Sequence, residues 1–183
     1  MSVDGDVLAP SRILRFRAAS SAYHQRVDDR VMQAAPFASR QNYARFLRFQ
    51  YRLHRRVAPL YAAPAYQALL PDLGLARPEI ARPDLAEPAA LLPLPEALGW
   101  LYVVEGSNMG AAFLLKAAIK LDLSERFGAR HLAAHPEGRG LNWRRFTEAL
   151  DAIALTAEED RRAQAATISA FSHVLDLVGE ELA

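Results

Sequence analysis

One long apolar segment constrains the fold of this chain more than any other feature. Residues 96–121 are apolar on nearly every side of a helical wheel, and Gly106 and Gly110 lie in the middle of the segment. A strand has about five or six residues, so a segment of this length is helical. A helix that is apolar all round is normally buried. The sequence therefore predicts a central helix that other elements surround.

The rest of the chain also has helical periodicity. Ser11 and Ser39 are suited to N-cap helices, and Pro36 separates the first helix, of about six turns, from the second. Prolines recur from Pro59 to Pro95, which leaves room only for short helical pieces. The further predicted helices cover residues 41–62, 66–70, 78–86, 124–134, 142–152 and 156–181. No segment has strand periodicity, so we expect an all-α chain, with a flexible N terminus at 1–10 and one helical domain at 11–183.

Composition excludes several kinds of site. The chain has no cysteine, which rules out disulfides, iron–sulfur clusters and thiolate zinc sites. Any metal chemistry must use the five histidines, the carboxylates or a cofactor. A net charge of +1 argues against a nucleic-acid partner. Most of the 22 basic residues are arginines, which suit planar anions such as carboxylates.

The N-terminal residues do not resemble a targeting signal. Asp4 and Asp6 stand where a signal peptide needs basic charge followed by an apolar core. No run of about 18 apolar residues occurs elsewhere. We therefore expect no membrane span and a cytoplasmic location.

Gly106 and Gly110 require an explanation, because each glycine inside a helix costs about 1 kcal/mol relative to alanine. Their spacing of four residues puts both on one face of the helix. The missing β-carbons allow a close approach by a flat ligand, and they permit a kink. Close packing against another helix explains the same spacing equally well.

His24 is the second candidate. Asp28 follows four residues later on the same helical face, where its carboxylate can orient the imidazole and strengthen it as a metal ligand. Arg17 precedes His24 by about two turns, about 10 Å along the axis. An ordinary packed or surface histidine remains the alternative.

Three segments together resemble the bacterial haem oxygenase family. They are S-x-x-H-x-x-x-D at 21–28, G-W-L-Y-V-V-E-G-S-N-M-G-A-A-F-L-L-K at 99–116 and P-E-G-R-G-L-N-W-R-R-F at 136–146. The resemblance implies an all-α fold that holds haem between the first, proximal helix and a glycine-kinked distal helix. It implies that His24 is the axial ligand of the haem iron, with Asp28 behind it, and that Gly106 and Gly110 let the distal backbone lie over the iron.

The resemblance also implies the reaction. A b-type haem is both cofactor and substrate, and O₂ and electrons from a ferredoxin, a flavodoxin or an NADPH-dependent reductase convert it to biliverdin, CO and Fe²⁺. Ser107 follows the first distal glycine where the mammalian branch has an aspartate, so the anchor of the distal water differs. Arg17, with Tyr102 as a possible second contact, is placed to hold a propionate, which favours cleavage at the α-meso carbon. Core packing is the alternative for Tyr102.

Two rival functions remain open at this point. A non-catalytic haem-binding protein on the same fold would have the same pattern, and a helical regulatory module would use the glycines only for packing. The remaining histidines are interpreted as packed, surface or loop residues, namely His54, His131, His135 and His173. The arginines at 45, 48, 52, 55 and 56 form a basic strip that is either a solvated face or a docking surface for an acidic electron donor.

Overall fold

The computed structural model describes residues 10–63, 66 and 92–183. Within them lie five α-helices and one short 3₁₀ helix, Arg130–Leu132. The α-helices are α1 (Arg12–Gln33), α2 (Arg40–Ala62), α3 (Leu94–Ile119), α4 (Arg139–Ala152) and α5 (Ala157–Leu182). The described part of the chain has isolated β-bridges near Ser124 but no strand, which confirms the all-α prediction. None of its helices is long and apolar enough to cross a membrane.

Local signals place the starts of α1, α2 and α5 within a residue of the predicted positions, whereas α3 begins two residues and α4 three residues earlier than predicted. The Ser11 hydroxyl accepts from the Leu14 amide at 3.4 Å, and the Ser39 hydroxyl accepts from the Asn42 amide at 3.1 Å. At the start of α5, Thr156 and Glu159 form a reciprocal capping box. The predicted helical pieces at 66–70 and 78–86 lie outside the described residues, apart from Tyr66.

The predicted helix at 124–134 is wrong in large part. Ser124 begins a tight turn in which its backbone exchanges hydrogen bonds with Phe127, and Gly128 has a φ of 77°. Only Arg130–Leu132 is helical, as one 3₁₀ turn. The left-handed conformation at Gly128 prevents continuation of a helix across it, and the local pattern of apolar residues concealed this turn.

Helix α5 holds the bundle together, since it packs against α1, α2 and α3. Its crossing with α3 is close at Gly99, where a β-carbon would lie 2.5 Å from the Ala163 carbonyl oxygen and 2.7 Å from the Thr167 nitrogen. Phe16, Leu101, Phe146 and other apolar side chains fill the core around this crossing.

Helix α3 has two distinct halves. From Pro95 to Glu105 nearly every residue is buried, as expected for a central helix. Beyond Gly106 only Ala111 and Ala118 are buried, and the Phe113 side chain is 77% exposed. The prediction of a buried central element is therefore confirmed for the first half alone. One side of the second half of α3 borders a cavity.

Candidate functional site

A cavity of about 880 Å³ lies beside the second half of α3. This volume is typical of sites that bind a cofactor or small molecule. All seven residues singled out from the sequence line it. Arg17, His24 and Asp28 come from α1, and Tyr102, Gly106, Ser107 and Gly110 come from α3. The fold thus brings together two segments about 80 residues apart in the chain.

His24 presents an accessible imidazole to the cavity. Its side chain is 62% exposed, and its Nε2 lies 3.7 Å from Oδ2 of Asp28. Asp28 therefore lies on the same helical face as His24, as the sequence spacing predicts, and Nε2 is the imidazole nitrogen nearer to it. The Phe171 ring lies 5.5 Å from the imidazole, between centroids, and limits its motion on the side of α5. An imidazole held in this way can serve as a metal ligand.

Tyr102 connects α3 to α1 at one end of the cavity. Its ring packs edge-on against Phe16, with centroids 5.4 Å apart, and tilts against Trp143. Burial raises the pKa of Tyr102, while the Arg17 charge and a hydrogen bond with Ser20 act in the opposite direction. The ring is therefore packed, and the hydroxyl lies within the field of the exposed Arg17 guanidinium.

Neither Gly106 nor Gly110, the two glycines singled out from the sequence, lies at a tight helix crossing. A β-carbon on Gly110 would meet nothing within 4 Å, and one on Gly106 would touch only the Trp143 ring, at 3.4 Å. The close crossing of α3 is at Gly99 instead. Helix packing therefore does not explain the Gly106–Gly110 pair. The helix is continuous through both residues, so the kink remains a prediction.

Ser107 stands beside Gly106 on the cavity wall. Its hydroxyl donates to the Val104 carbonyl at 2.6 Å. With the proton committed to the helix backbone, the hydroxyl oxygen remains able to accept a hydrogen bond from water.

Three further helices complete the cavity wall, and sequence reasoning missed them. Their residues are Phe46, Phe49, Gln50 and Leu53 of α2, Trp143 of α4, and Phe171 and Val174 of α5. Only Trp143 had a signal in the sequence, since it belongs to the 136–146 segment that carried the resemblance. The others lie on helix faces that ordinary core packing would also produce.

A second, smaller cavity of about 40 Å³ adjoins the first. The two share Gln50, Ser107 and Leu114, and the smaller one is also lined by His54 and His131. Its polar wall and size suit ordered water. His54, interpreted from sequence as an ordinary packed residue, thus lies close to the candidate site.

The other histidines do not form a metal centre. Nowhere in residues 10–63 and 92–183 do three or more His, Cys, Asp or Glu side chains form a group that could hold a metal ion. His131 is buried near Phe46, and His135 accepts from the Glu137 amide through Nδ1. His173 packs on Trp100, where burial and the Arg56 charge lower its pKa.

The basic strip on α2 is largely paired within the chain. Arg48 and Arg52 contact Glu181, and Arg52 also contacts Glu180. The Arg56 guanidinium lies over the Trp100 ring at 5.6 Å. These contacts favour the interpretation of the strip as a surface that ties α2 to α5.

The main cavity has the properties that haem requires. Its wall is mostly apolar, it holds one accessible imidazole, and it has an exposed guanidinium for an anionic group. The open space at Gly110 leaves room for a flat molecule against the backbone of α3. The residues present therefore fit haem.

Known proteins resemble this chain in sequence and in fold. The profile of the heme oxygenase family matches residues 58–180. The chain is 41% identical to heme oxygenase PigA of Pseudomonas aeruginosa, over 94% of this chain and 97% of that protein. A solved structure, the NO- and CO-bound heme oxygenase from Neisseria meningitidis, superimposes with a TM-score of 0.77 at 38% identity, covering 95% of this chain and 93% of that one. On the fold, the cavity and this similarity over nearly its whole length, the chain belongs to the haem oxygenase family and is a haem-degrading enzyme.

Proposed function

We propose that the 880 Å³ cavity binds b-type haem with His24 as the axial ligand of the iron, and that the product is biliverdin IXα. One observation carries this proposal. Residues that the sequence pattern singles out in two distant segments line a single apolar cavity together. When bound, haem supplies both the redox-active iron that reacts with O₂ and the ring that is opened.

On the proximal side, His24 would bind the haem iron and Asp28 would orient the His24 imidazole. The Asp28 carboxylate lies 3.7 Å from Nε2 of His24, so its charge would help to orient the imidazole when haem binds. Either ring nitrogen of His24 would be able to hold the iron, and Asp28 would then orient the ring through the other nitrogen. The Phe171 ring lies 5.5 Å from the imidazole, between centroids, and limits its rotation on the side of α5.

On the distal side, the protein holds water with neutral groups. Ser107 and Gln50 border both the main and the small cavity. The Ser107 hydroxyl, which donates to the Val104 carbonyl, can accept a hydrogen bond from water, and the Gln50 amide can accept from or donate to it. We assign them the role of water anchor that an aspartate has in the mammalian branch. The glycines leave open space on the cavity side of α3, which would admit O₂ beside a bound haem.

Arg17 would hold a haem propionate at the cavity wall and would thereby set the orientation of the haem. A guanidinium on the cavity wall binds a propionate through two parallel hydrogen bonds. The Tyr102 hydroxyl supplies a second contact from α3. Lys116 and Lys120 of α3 are further cations near the second half of this helix, but neither lies on the described wall of the cavity. Propionates held at Arg17 direct cleavage to the α-meso carbon.

The electrons come from a ferredoxin, a flavodoxin or an NADPH-dependent reductase. Family membership implies a reductase partner in general. Glu180 and Glu181 neutralise part of the positive charge of Arg48 and Arg52, which makes the α2 strip less suited to an acidic carrier.

A single aerobic experiment tests the function. The purified chain is mixed with haem and a reductant, and the absorbance is followed. We expect a Soret band that bleaches while a bilin product appears. A stable Soret band would favour the non-catalytic haem-binding alternative, and the absence of a Soret band would exclude both.

A further inference from the structure

The R-G-L-N-W motif at residues 139–143 contacts the distal helix at three points, and it has no part in the proposed haem chemistry. The Asn142 amide lies 3.5 Å from the buried carboxylate of Glu105, which also accepts from the Tyr61 hydroxyl at 2.6 Å. The Trp143 ring covers the position of a Gly106 β-carbon. The third contact, through Arg139, is the most extensive.

Arg139 binds three backbone carbonyls in two different segments. Its Nη1 donates to the Asn108 carbonyl at 3.0 Å and to the Asn108 side-chain oxygen, and it also reaches the Ala133 carbonyl at 3.4 Å. Its Nη2 donates to the Leu132 carbonyl at 2.5 Å. One guanidinium therefore joins the start of α4, the end of the 3₁₀ helix and the middle of α3.

Asn108 lies midway between the two distal glycines. Residues two apart on a helix are about 200° apart around its axis, so Asn108 is on the side opposite Gly106 and Gly110. Consistent with this, both glycines line the main cavity, and Asn108 lines only the small one. Arg139 thus binds the back of the helix, directly behind the segment that borders the cavity.

A helical segment with two glycines has unusual backbone freedom, because glycine loses more conformational entropy than any other residue when a helix forms. The cavity side of this segment offers no contact within 4 Å of the Gly110 β-carbon position. On that side the Trp143 ring contacts only the Gly106 end, so polar restraint of the segment comes from the opposite side, through Asn108. Hydrogen bonds from a charged donor are stronger than those between neutral groups, so the Arg139 contacts can offset the freedom of the glycines.

We propose that Arg139 is a positioning residue that holds the Gly106–Gly110 backbone at a defined height over the cavity through Asn108. The restraint on the backbone is a property of the haem-free chain. Its effect on a small ligand at the iron rests on the proposed function.

Hydrogen exchange of the haem-free protein tests the restraint. We expect Arg139→Gln to accelerate exchange of the amides at 109–112 by about ten-fold or more, because the helix around them loses its charged donor. Arg144→Gln is the matched control, since Arg144 is exposed on the same helix, and it should leave these amides unchanged. Arg139→Lys keeps the charge but cannot bridge Asn108 and Leu132, so it should also accelerate exchange, and it carries the test if Arg139→Gln does not fold.

Carbon monoxide serves as the probe for the cavity. In the haem-loaded variants we expect a changed CO dissociation rate with little change in haem affinity. Unchanged exchange at 109–112, or a uniform rise over all five helices that follows the melting temperature, would overturn the positioning role. If exchange at 109–112 accelerated but the CO dissociation rate stayed the same, the proposed effect of Arg139 on the cavity would be overturned. If wild type failed to bind haem, the proposed function would fail, and the exchange result would still decide the restraint.

Discussion

At His24 two neighbours decide what the imidazole can do. Asp28 lies 3.7 Å from its Nε2, and the Phe171 ring limits its rotation. The side chain is otherwise open to the cavity, so nothing in the described structure competes with a metal for it. What the His24 imidazole can do therefore depends on contacts from both α1 and α5.

We expect His24→Ala to abolish turnover, because the cavity then lacks its accessible imidazole. The variant should fold, since the side chain is largely exposed. Absorption and electron paramagnetic resonance spectra of the haem complex, with bilin formation, measure the effect. A native spectrum with normal bilin formation would move the ligand assignment to another histidine, with His54 and His173 as candidates.

Arg17 is the residue on which the regiochemistry depends. We expect wild type to yield biliverdin IXα, and Arg17→Ala to give a mixture of isomers, because one propionate loses its bidentate partner. Chromatography against isomer standards measures both. Arg26 is a matched control on the same helix, since it lies over the Tyr23 ring and does not line the cavity. A β or δ product from wild type would refute the assignment.

At the scale of the element, the two halves of α3 have different roles. Its first half packs against α5 at Gly99, and its second half forms one wall of the cavity. The two tasks require glycine for different reasons, namely a backbone contact and an open space. Replacing glycine by a larger residue is therefore expected to destabilise the fold at position 99 and to fill the cavity at position 110.

A matched pair of variants separates these tasks. Gly99→Leu should destabilise the fold by more than about 3 kcal/mol, because its β-carbon meets backbone atoms that cannot move aside. Gly110→Leu should melt near wild type and retain haem, but its side chain should enter the cavity and impair ring opening. Thermal unfolding and bilin formation distinguish the two. Normal turnover in Gly110→Leu would indicate that the open space has no part in the reaction.

At the scale of the whole molecule, ion pairs tie α5 to three other helices. Asp160 pairs with Arg12 and Arg15 of α1, Arg162 with Glu96 of α3, and Glu181 with Arg48 and Arg52 of α2. Burial would raise the pKa of Asp160 and of Glu181, but hydrogen bonds from the arginines outweigh it and lower both values. The Arg162 hydrogen bond likewise lowers the pKa of Glu96.

These shifts predict the response to acid. A carboxyl group with a lowered folded-state pKa contributes stability that is complete above its unfolded value, about 4, and is lost as the pH falls through the folded value. We expect a steady melting temperature down to about pH 5 and a steep fall below about pH 4. Asp160→Asn should melt lower at about pH 7 and decline less in acid. Parallel curves for the two proteins would refute the contribution of this pair.

The sequence by itself determined the features that depend on neighbouring residues. The serine caps, the helical periodicity and the motif around His24 are local, and the helix ends and the all-α class agree with them. The candidate residues followed from spacing on one helix face and from the family resemblance. Helical spacing of four residues is a property of the chain, and it needs no knowledge of the neighbours.

Only the tertiary structure decided which distant surfaces meet. The close crossing at Gly99, the wall that Trp143 and Phe171 complete, and the Arg139–Asn108 contact all join residues far apart in sequence. The sequence assigned no partners to the basic strip on α2, whereas in the structure Glu180 and Glu181 of α5 pair with its Arg52 and Arg48. Such contacts leave no periodic signal, because a packed face and a cavity wall require the same apolar side chains, and only packing geometry distinguishes them.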